Sequence, residues 1–318
     1  MHGEFRRWLE EYEGSLIIGV AGDSGSGKTT FTKSISNLLG KELVSFFSLD
    51  DYHTEDRKTR KQTRHLPLDP SINNLELAGE HLRELRNGRA VMKPVYNHQS
   101  GKIEGPVIFE PKKIVIVEGL HTLYDELRRY IDLKIYVEPS REIKWKWKLN
   151  RDVNERGYDK SAVEEEMRKR EPYYKRYIDF QKIYADIVIK IKNSLFSFDD
   201  SYMVELLLKH LDFELSGIDM HLSLTSLINN SQRAMSMAYR DDYYYEKYVS
   251  RLTFDGFMPM SAIYELEEKI KEYTGFSENY ILEKEEYMNS IDIAQLLVTW
   301  YFVEMMTNIF RELGNYRR

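Results

Sequence analysis

The stretch GVAGDSGSGKTTF runs from Gly19 to Phe31. Before it lies Ser15–Ala21 (SLIIGVA), a short apolar run rich in branched side chains, as expected of a strand buried in a sheet. After it, Phe31, Ile35, Leu38 and Leu39 recur at helical spacing through Lys28–Leu39, and Gly40 stops the pattern. Between strand and helix, Gly22-Asp23-Ser24-Gly25-Ser26-Gly27-Lys28-Thr29 fits G-x-x-x-x-G-K-[ST] without a mismatch. The glycines let main-chain N–H groups turn inward around phosphate oxygens, and the helix presents its positive end to the anion. Lys28 is placed to reach the β- and γ-phosphates, and the Thr29 hydroxyl to ligate Mg²⁺. The loop by itself says nucleotide phosphate and is silent on the second substrate.

Working outward, further apolar runs predict strands at Leu43–Leu49, Lys113–Val117, Asp132–Val137 and Ala185–Ile191, with helices at Leu75–Arg86, Ser140–Arg156 and Ser161–Arg170. Asp50–Asn74 reads as turns and polar chain. Strands alternating with helices predict an α/β fold, a P-loop kinase core whose mostly parallel sheet is flanked by helices. Beyond Asn193 the texture changes. Tyr202–Leu215, Met220–Ile228 and the tyrosine-rich Asp242–Phe254 read as strands. Pro259–Tyr273 and Ile291–Leu313 read as amphipathic helices. The expected division is a core over 1–195 and an α+β extension over 196–318.

Composition excludes several classes. The chain has 318 residues and no cysteine, so disulfides and thiolate metal sites are impossible. A net charge of −6 argues against bulk nucleic-acid binding. The longest apolar run, Leu296–Val303, is shorter than the roughly 20 residues that span a bilayer. The N-terminal segment lacks the apolar core of a signal peptide. The expectation is a cytoplasmic protein without membrane or nucleic-acid partners.

In an open α/β sheet the strand carboxyl ends line the ligand crevice. Two acids stand there, Asp50 after LVSFFSL and Glu118 after KIVIV. Either could serve Mg²⁺ or act as a base. Arg57-Lys58-Thr59-Arg60-Lys61-Gln62-Thr63-Arg64 is dense in cations and free of acids, a local anion site for a phosphorylated substrate or an ordinary solvated loop. Lys144, Lys148, Arg151 and Arg156 recur at helical spacing. They form either a basic face closing on ATP or an ion-paired surface helix. Tyr96 and His98 carry no decisive signal alone.

Taken in order, GDSGSGKTT, SLDDYHTEDR, LDPSINN, KPVYNHQSGKI, VEGLHTLYD and RDVNERG resemble the phosphoribulokinase family, and its archaeal and plant-like branch most. The resemblance covers about Ser15 to Ile191. The P-loop and the Arg151-Asp152…Arg156-Gly157 motif are shared with uridine kinases. The resemblance implies transfer of the ATP γ-phosphoryl group to the C1 hydroxyl of ribulose 5-phosphate. It implies Asp50 as base, Thr29, Glu118 and Asp50 around Mg²⁺, and Gly22–Thr30 with Arg156 around the nucleotide. His53, Arg57, Arg60, Lys61, Arg64, Tyr96 and His98 fall on the substrate side. Lys28, Lys148, Arg151 and Asp152 fall around the transferred phosphate, and a homodimer is implied. Ser26 and Ser48 stand where oxygenic members carry a regulatory cysteine pair, so a disulfide switch is chemically ruled out here. The competing readings are a uridine-type nucleoside kinase and a non-catalytic P-loop protein gated by ATP.

Overall fold

A computed structural model describes residues 4–196, 201–209, 234–275 and 286–316. In chain order the elements are α1 (Glu4–Glu11), β1 (Leu16–Ala21), α2 (Lys28–Leu39), β2 (Val44–Ser48), α3 (Arg57–Thr63), α4 (Leu75–Arg86), β3 (Val91–Tyr96), β4 (Ile103–Phe109), β5 (Ile114–Gly119), α5 (Asp125–Arg128), β6 (Leu133–Pro139), α6 (Arg141–Asn150), α7 (Lys160–Tyr173), β7 (Ile187–Asn193), β8 (Tyr202–Lys209), β9 (Met235–Tyr244), β10 (Lys247–Pro259), α8 (Met260–Thr274), β11 (Tyr287–Asn289) and α9 (Ser290–Tyr316). Packing divides the chain into two compact units. One comprises Glu13–Thr32 and Leu43–Val188, the other Met1–Tyr12, Lys33–Glu42 and Ile189–Arg318.

In the first unit β6, β1, β5 and β2 lie side by side, all parallel. All six residues of β1 are buried, and so are Ile114, Val115, Ile116 and Val117 of β5. Burial on both faces accounts for their continuous apolar sequence. In β2, by contrast, Val44 and Phe47 are buried and Phe46 is exposed. Registration aligns the strand ends that matter. Glu118 of β5 pairs with Val20 of β1 on one side and Ser48 of β2 on the other. The middle strand thus carries Glu118 between the strand that leads into the P-loop and the strand that leads to Asp50.

Several expectations need correction. Glu118 belongs to the end of β5 and does not follow it. Asp50–Asn74 is not merely turns. Leu49–Tyr52 forms one turn of 3-10 helix, and the basic run is the helix α3. Asp56 caps α3 by accepting the Thr59 N–H at 2.7 Å, which is why a run of cations can start a helix there. The hairpin β3–β4 has no counterpart in the sequence reading. Pro94 and Pro106 inside it argue against strands by pattern alone. Helix α6 ends at Asn150, and Arg151–Glu155 continue as a π-helical turn.

In the second unit β10 pairs antiparallel with β8, β9 and β11. The expected strand over Asp242–Phe254 is two strands. Tyr245 and Glu246, at φ 47° and 63°, reverse the chain between β9 and β10, as a two-residue hairpin requires. Phe5 of α1 meets Phe302 and Phe310 of α9. The Ser290–Arg311 stretch of α9 is long and apolar enough to cross a membrane, unlike the shorter run weighed from sequence, and 89% of that window is buried within the protein. The strand expected at Met220–Ile228, and residues 210–215 of the one expected from Tyr202, lie outside the described residues.

Candidate active site

Gly22, Gly25 and Gly27 have φ of 149°, 79° and 91°, a region closed to most side chains. Space is also denied. A Cβ at Gly22 would stand 2.7 Å from the Val137 carbonyl oxygen. One at Gly25 would meet Lys148 Cβ at 2.8 Å, and one at Gly27 the Trp147 ring at 3.2 Å. Lys28 Nζ donates to the carbonyl oxygens of Gly22 and Asp23 at 3.0 and 2.8 Å, folded back over the loop. Burial lowers its pKa, against the pull of the Glu118, Asp23 and Asp50 carboxylates. The Ser26 hydroxyl is fully buried with no hydrogen-bond partner among the described residues. Thr29 and Thr30 are exposed at the helix start.

The Thr29 hydroxyl donates to Glu118 Oε1 and the Thr32 hydroxyl to Glu118 Oε2, each at 3.2 Å. The hydroxyl and carboxylate assigned to the metal are therefore adjacent. Hard oxygen donors few in number suit Mg²⁺, which keeps waters and phosphate oxygens in its shell. Asp50 sits in the 3-10 turn after β2, where its N–H donates to Ser48 Oγ at 3.3 Å. Its Oδ2 lies 3.7 Å from His98 Nε2, and its charge reaches Lys28, His53 and His121.

Asp51, its neighbour, faces elsewhere. Asp51 Oδ1 accepts the Tyr96 N–H at 2.7 Å and Oδ2 accepts Lys93 Nζ. Asp51 thus ties β3 to the turn that carries Asp50.

His53, Tyr96 and His98 stack edge to face, with centroid separations of 5.2 and 5.1 Å. His53 Nδ1 hydrogen-bonds Asn73 Oδ1 at 2.7 Å, and burial keeps its pKa low. Arg60 donates to the Tyr96 hydroxyl at 2.7 Å and to the Glu55 carbonyl at 2.8 Å. Arg57 donates to the carbonyls of His98 and Gln99 at 2.6 and 3.4 Å. These two arginines therefore brace the β3–β4 loop. Lys61 and Arg64 are exposed and have no ionic partner among the described residues.

Beside the P-loop, Lys144, Lys148, Arg151 and Arg156 each pair with an acid. Asp152 Oδ1 accepts from Arg151 Nε at 3.0 Å and Arg156 Nη1 at 3.2 Å, and Oδ2 accepts from Lys148 Nζ. Arg151 Nη2 also reaches Ser24 Oγ at 3.1 Å. Lys144 pairs with Asp23. Helix α6 is thus ion-paired, and its pairs lie against the P-loop. Sequence reasoning missed Arg170, whose charged partner Asp23 lies far away in sequence, and His121. The His121 ring is buried, with Nε2 3.0 Å from the Leu68 carbonyl oxygen, and burial lowers it to about 4. The only prior sign of His121 was its place in VEGLHTLYD.

Residues 17–194 match the family described as Phosphoribulokinase / Uridine kinase family. The chain is 44% identical over 177 residues to the phosphoribulokinase of Synechocystis sp., which covers 55% of this chain and 53% of that protein. It is 36% identical over 195 residues to the chloroplastic phosphoribulokinase of Spinacia oleracea, 56% of this chain and 48% of that one. It therefore spans about half the length of the curated relatives it matches. The solved phosphoribulokinase from Rhodobacter spheroides superposes with a TM-score of 0.54 at 18% identity, over 81% of this chain and 94% of that chain, a likeness of fold. The motif order, the parallel sheet and these matches lead to one conclusion: the chain belongs to the phosphoribulokinase and uridine kinase family.

Proposed function

We propose that the protein transfers the γ-phosphoryl group of ATP to the C1 hydroxyl of ribulose 5-phosphate, giving ribulose 1,5-bisphosphate and ADP. The observation that carries this reading is the placement of Asp50. Its carboxylate is felt by the P-loop ammonium of Lys28 and stands beside His98. A base must face both the nucleotide and the hydroxyl it deprotonates. Asp50 takes the C1 proton as that oxygen attacks the γ-phosphorus. His53, Arg57, Arg60, Tyr96 and His98 orient the sugar, and Lys61 and Arg64 meet its phosphate. Gly22–Thr30 cradle the ATP phosphates through main-chain N–H groups. Lys28, Lys148, Arg151 and Arg156 spread the charge of the transferring group, with Asp152 holding the last three together.

Thr29 and Glu118, with Asp50, are the residues that would hold Mg²⁺. When bound, Mg²⁺ neutralises phosphate charge. Little covalent chemistry falls to the protein itself, so positioning and charge neutralisation supply the acceleration. Residues 1–195 carry this chemistry. Residues 196–318 serve assembly into a homodimer, a reading supported by the exposed Tyr239, Tyr243 and Tyr245 on the β9–β10 hairpin and checked by light scattering.

The test is a coupled ADP assay with ATP and a panel of pentose phosphates and nucleosides. Turnover with ribulose 5-phosphate and none with uridine is expected. Turnover with uridine would replace this reading with a nucleoside kinase. ATP hydrolysis that no acceptor stimulates would leave a P-loop protein without transfer.

A further inference from the structure

Charge as well as glycine holds the P-loop. Asp23, Lys144 and Arg170 are 6%, 7% and 6% exposed, and they come from the loop, α6 and α7. Arg170 Nη2 donates to Asp23 Oδ1 at 3.0 Å and Lys144 Nζ donates to Oδ2 at 3.1 Å. Oδ1 also accepts the Ser24 N–H at 2.7 Å. Burial alone would raise the Asp23 carboxyl, but Arg170 and Lys144 outweigh it and hold it at about 2. Lys144 lies 3.9 Å from the centroid of the Tyr174 ring, and the Tyr174 hydroxyl donates to Asp179 at 3.0 Å. A bare carboxylate in a loop that receives phosphates would repel them. Here one carboxylate faces two cations and is neutralised.

Helix α6 and the turn that follows it touch the loop at three more residues. Arg151 reaches Ser24, the Lys148 stem packs on Gly25, and the Trp147 ring packs on Gly27. We propose that Arg170 and Lys144 are positioning residues for the nucleotide, acting through Asp23. They lock the main chain of Asp23–Gly27 against α6, so that the loop amides and the cations of α6 are set before ATP arrives. Neither residue contacts ATP in this assignment. The Asp23 side chain is committed to the lock, and only its main chain belongs to the cradle.

The inference rests on the reading of the loop as the ATP site, and its test uses ATP binding alone. Calorimetric titration of the full chain with ATP compares wild type with Asp23→Asn, Arg170→Gln, Arg170→Lys and Lys144→Met. Asp23→Asn and Arg170→Gln are expected to weaken ATP about 10- to 100-fold, the effect of a misplaced cradle. Arg170→Lys falls between wild type and Arg170→Gln, since it keeps the charge and loses the fork. The double variant Asp23→Asn/Arg170→Gln is no weaker than the weaker single, because both act through one contact. The KM for ribulose 5-phosphate stays within about 2-fold of wild type.

Wild-type ATP affinity in Arg170→Gln and Lys144→Met overturns the proposal. So does a double variant whose loss is the product of the singles, or a loss shared equally by ATP affinity and the sugar-phosphate KM. If Asp23→Asn does not fold, the three Arg170 and Lys144 variants decide by the same criteria. A wild-type chain that binds ATP yet transfers nothing to ribulose 5-phosphate sinks the substrate reading and leaves this one standing.

Discussion

The P-loop side and the α3 side of the candidate site handle positive charge in opposite ways. Around the P-loop, Lys144, Lys148, Arg151, Arg156 and Arg170 each hold an acid, and Asp23 and Asp152 are the two hubs. On α3, Arg57 and Arg60 spend their donors on main-chain carbonyls and the Tyr96 hydroxyl, while Lys61 and, just past the helix end, Arg64 are exposed without an ionic partner among the described residues. Buried ion pairs keep long side chains in one geometry. Exposed lone cations keep their entropy and their hydration until an anion arrives. The first side is therefore assembled in advance, and the second has its frame in place with its charges uncommitted.

The sharpest way to break this contrast lies between the two sides. Asp50→Asn is expected to lower turnover about 10²- to 10⁴-fold, the range for a general base, with ATP affinity unchanged by calorimetry. Near-normal turnover would remove Asp50 as base. The frame of the α3 side comes next. Asp51→Asn leaves Lys93 buried without its carboxylate, which costs about 3–5 kcal/mol of stability, read as a lowered denaturation midpoint. Adding Lys93→Met is expected to recover part of that loss. A double variant as unstable as the sum of both singles would deny the coupling.

A smaller effect belongs to His121. Its folded pKa lies below the unfolded value, so the folded state binds fewer protons there. Its contribution is full above about pH 6.5 and is lost as pH falls toward 4, on the order of 3 kcal/mol at the limit. His121→Asn should flatten the stability curve between those pH values, and an unchanged slope would show that another group titrates.

The smallest effects are at the end of α3. Lys61→Ala and Arg64→Ala should each raise the KM for ribulose 5-phosphate about 3- to 10-fold, less at high salt, with ATP binding unaltered. A change confined to ATP would move these cations to the other side of the comparison.

Much of the fold was legible because its signals are local. Leu16–Ala21 and Ile114–Val117 are apolar throughout because both their faces are covered. Lys28–Leu39 and Leu75–Arg86 match the expected helices to the residue, since each has a periodic stripe and a clear stop. Asp50 and Glu118 were legible as strand-end acids. The β3–β4 hairpin was not, because Pro94 and Pro106 interrupt it and its pairing shifts register between Lys93 and Val95, so its buried residues keep no period of two. The helical state of the basic run was not either, because its cap is a side chain, Asp56, outside the run.

The amino-acid order by itself determined the phosphate cradle, the parallel sheet and the family, since all three rest on residues near one another along the chain. Only the tertiary structure decided which charges are paired. Asp51 meets Lys93, Asp23 meets Arg170, and Arg57 meets the carbonyl of His98 across 42, 147 and 41 positions. A pairing at such a distance depends on where the fold returns the chain, and no local periodicity encodes that.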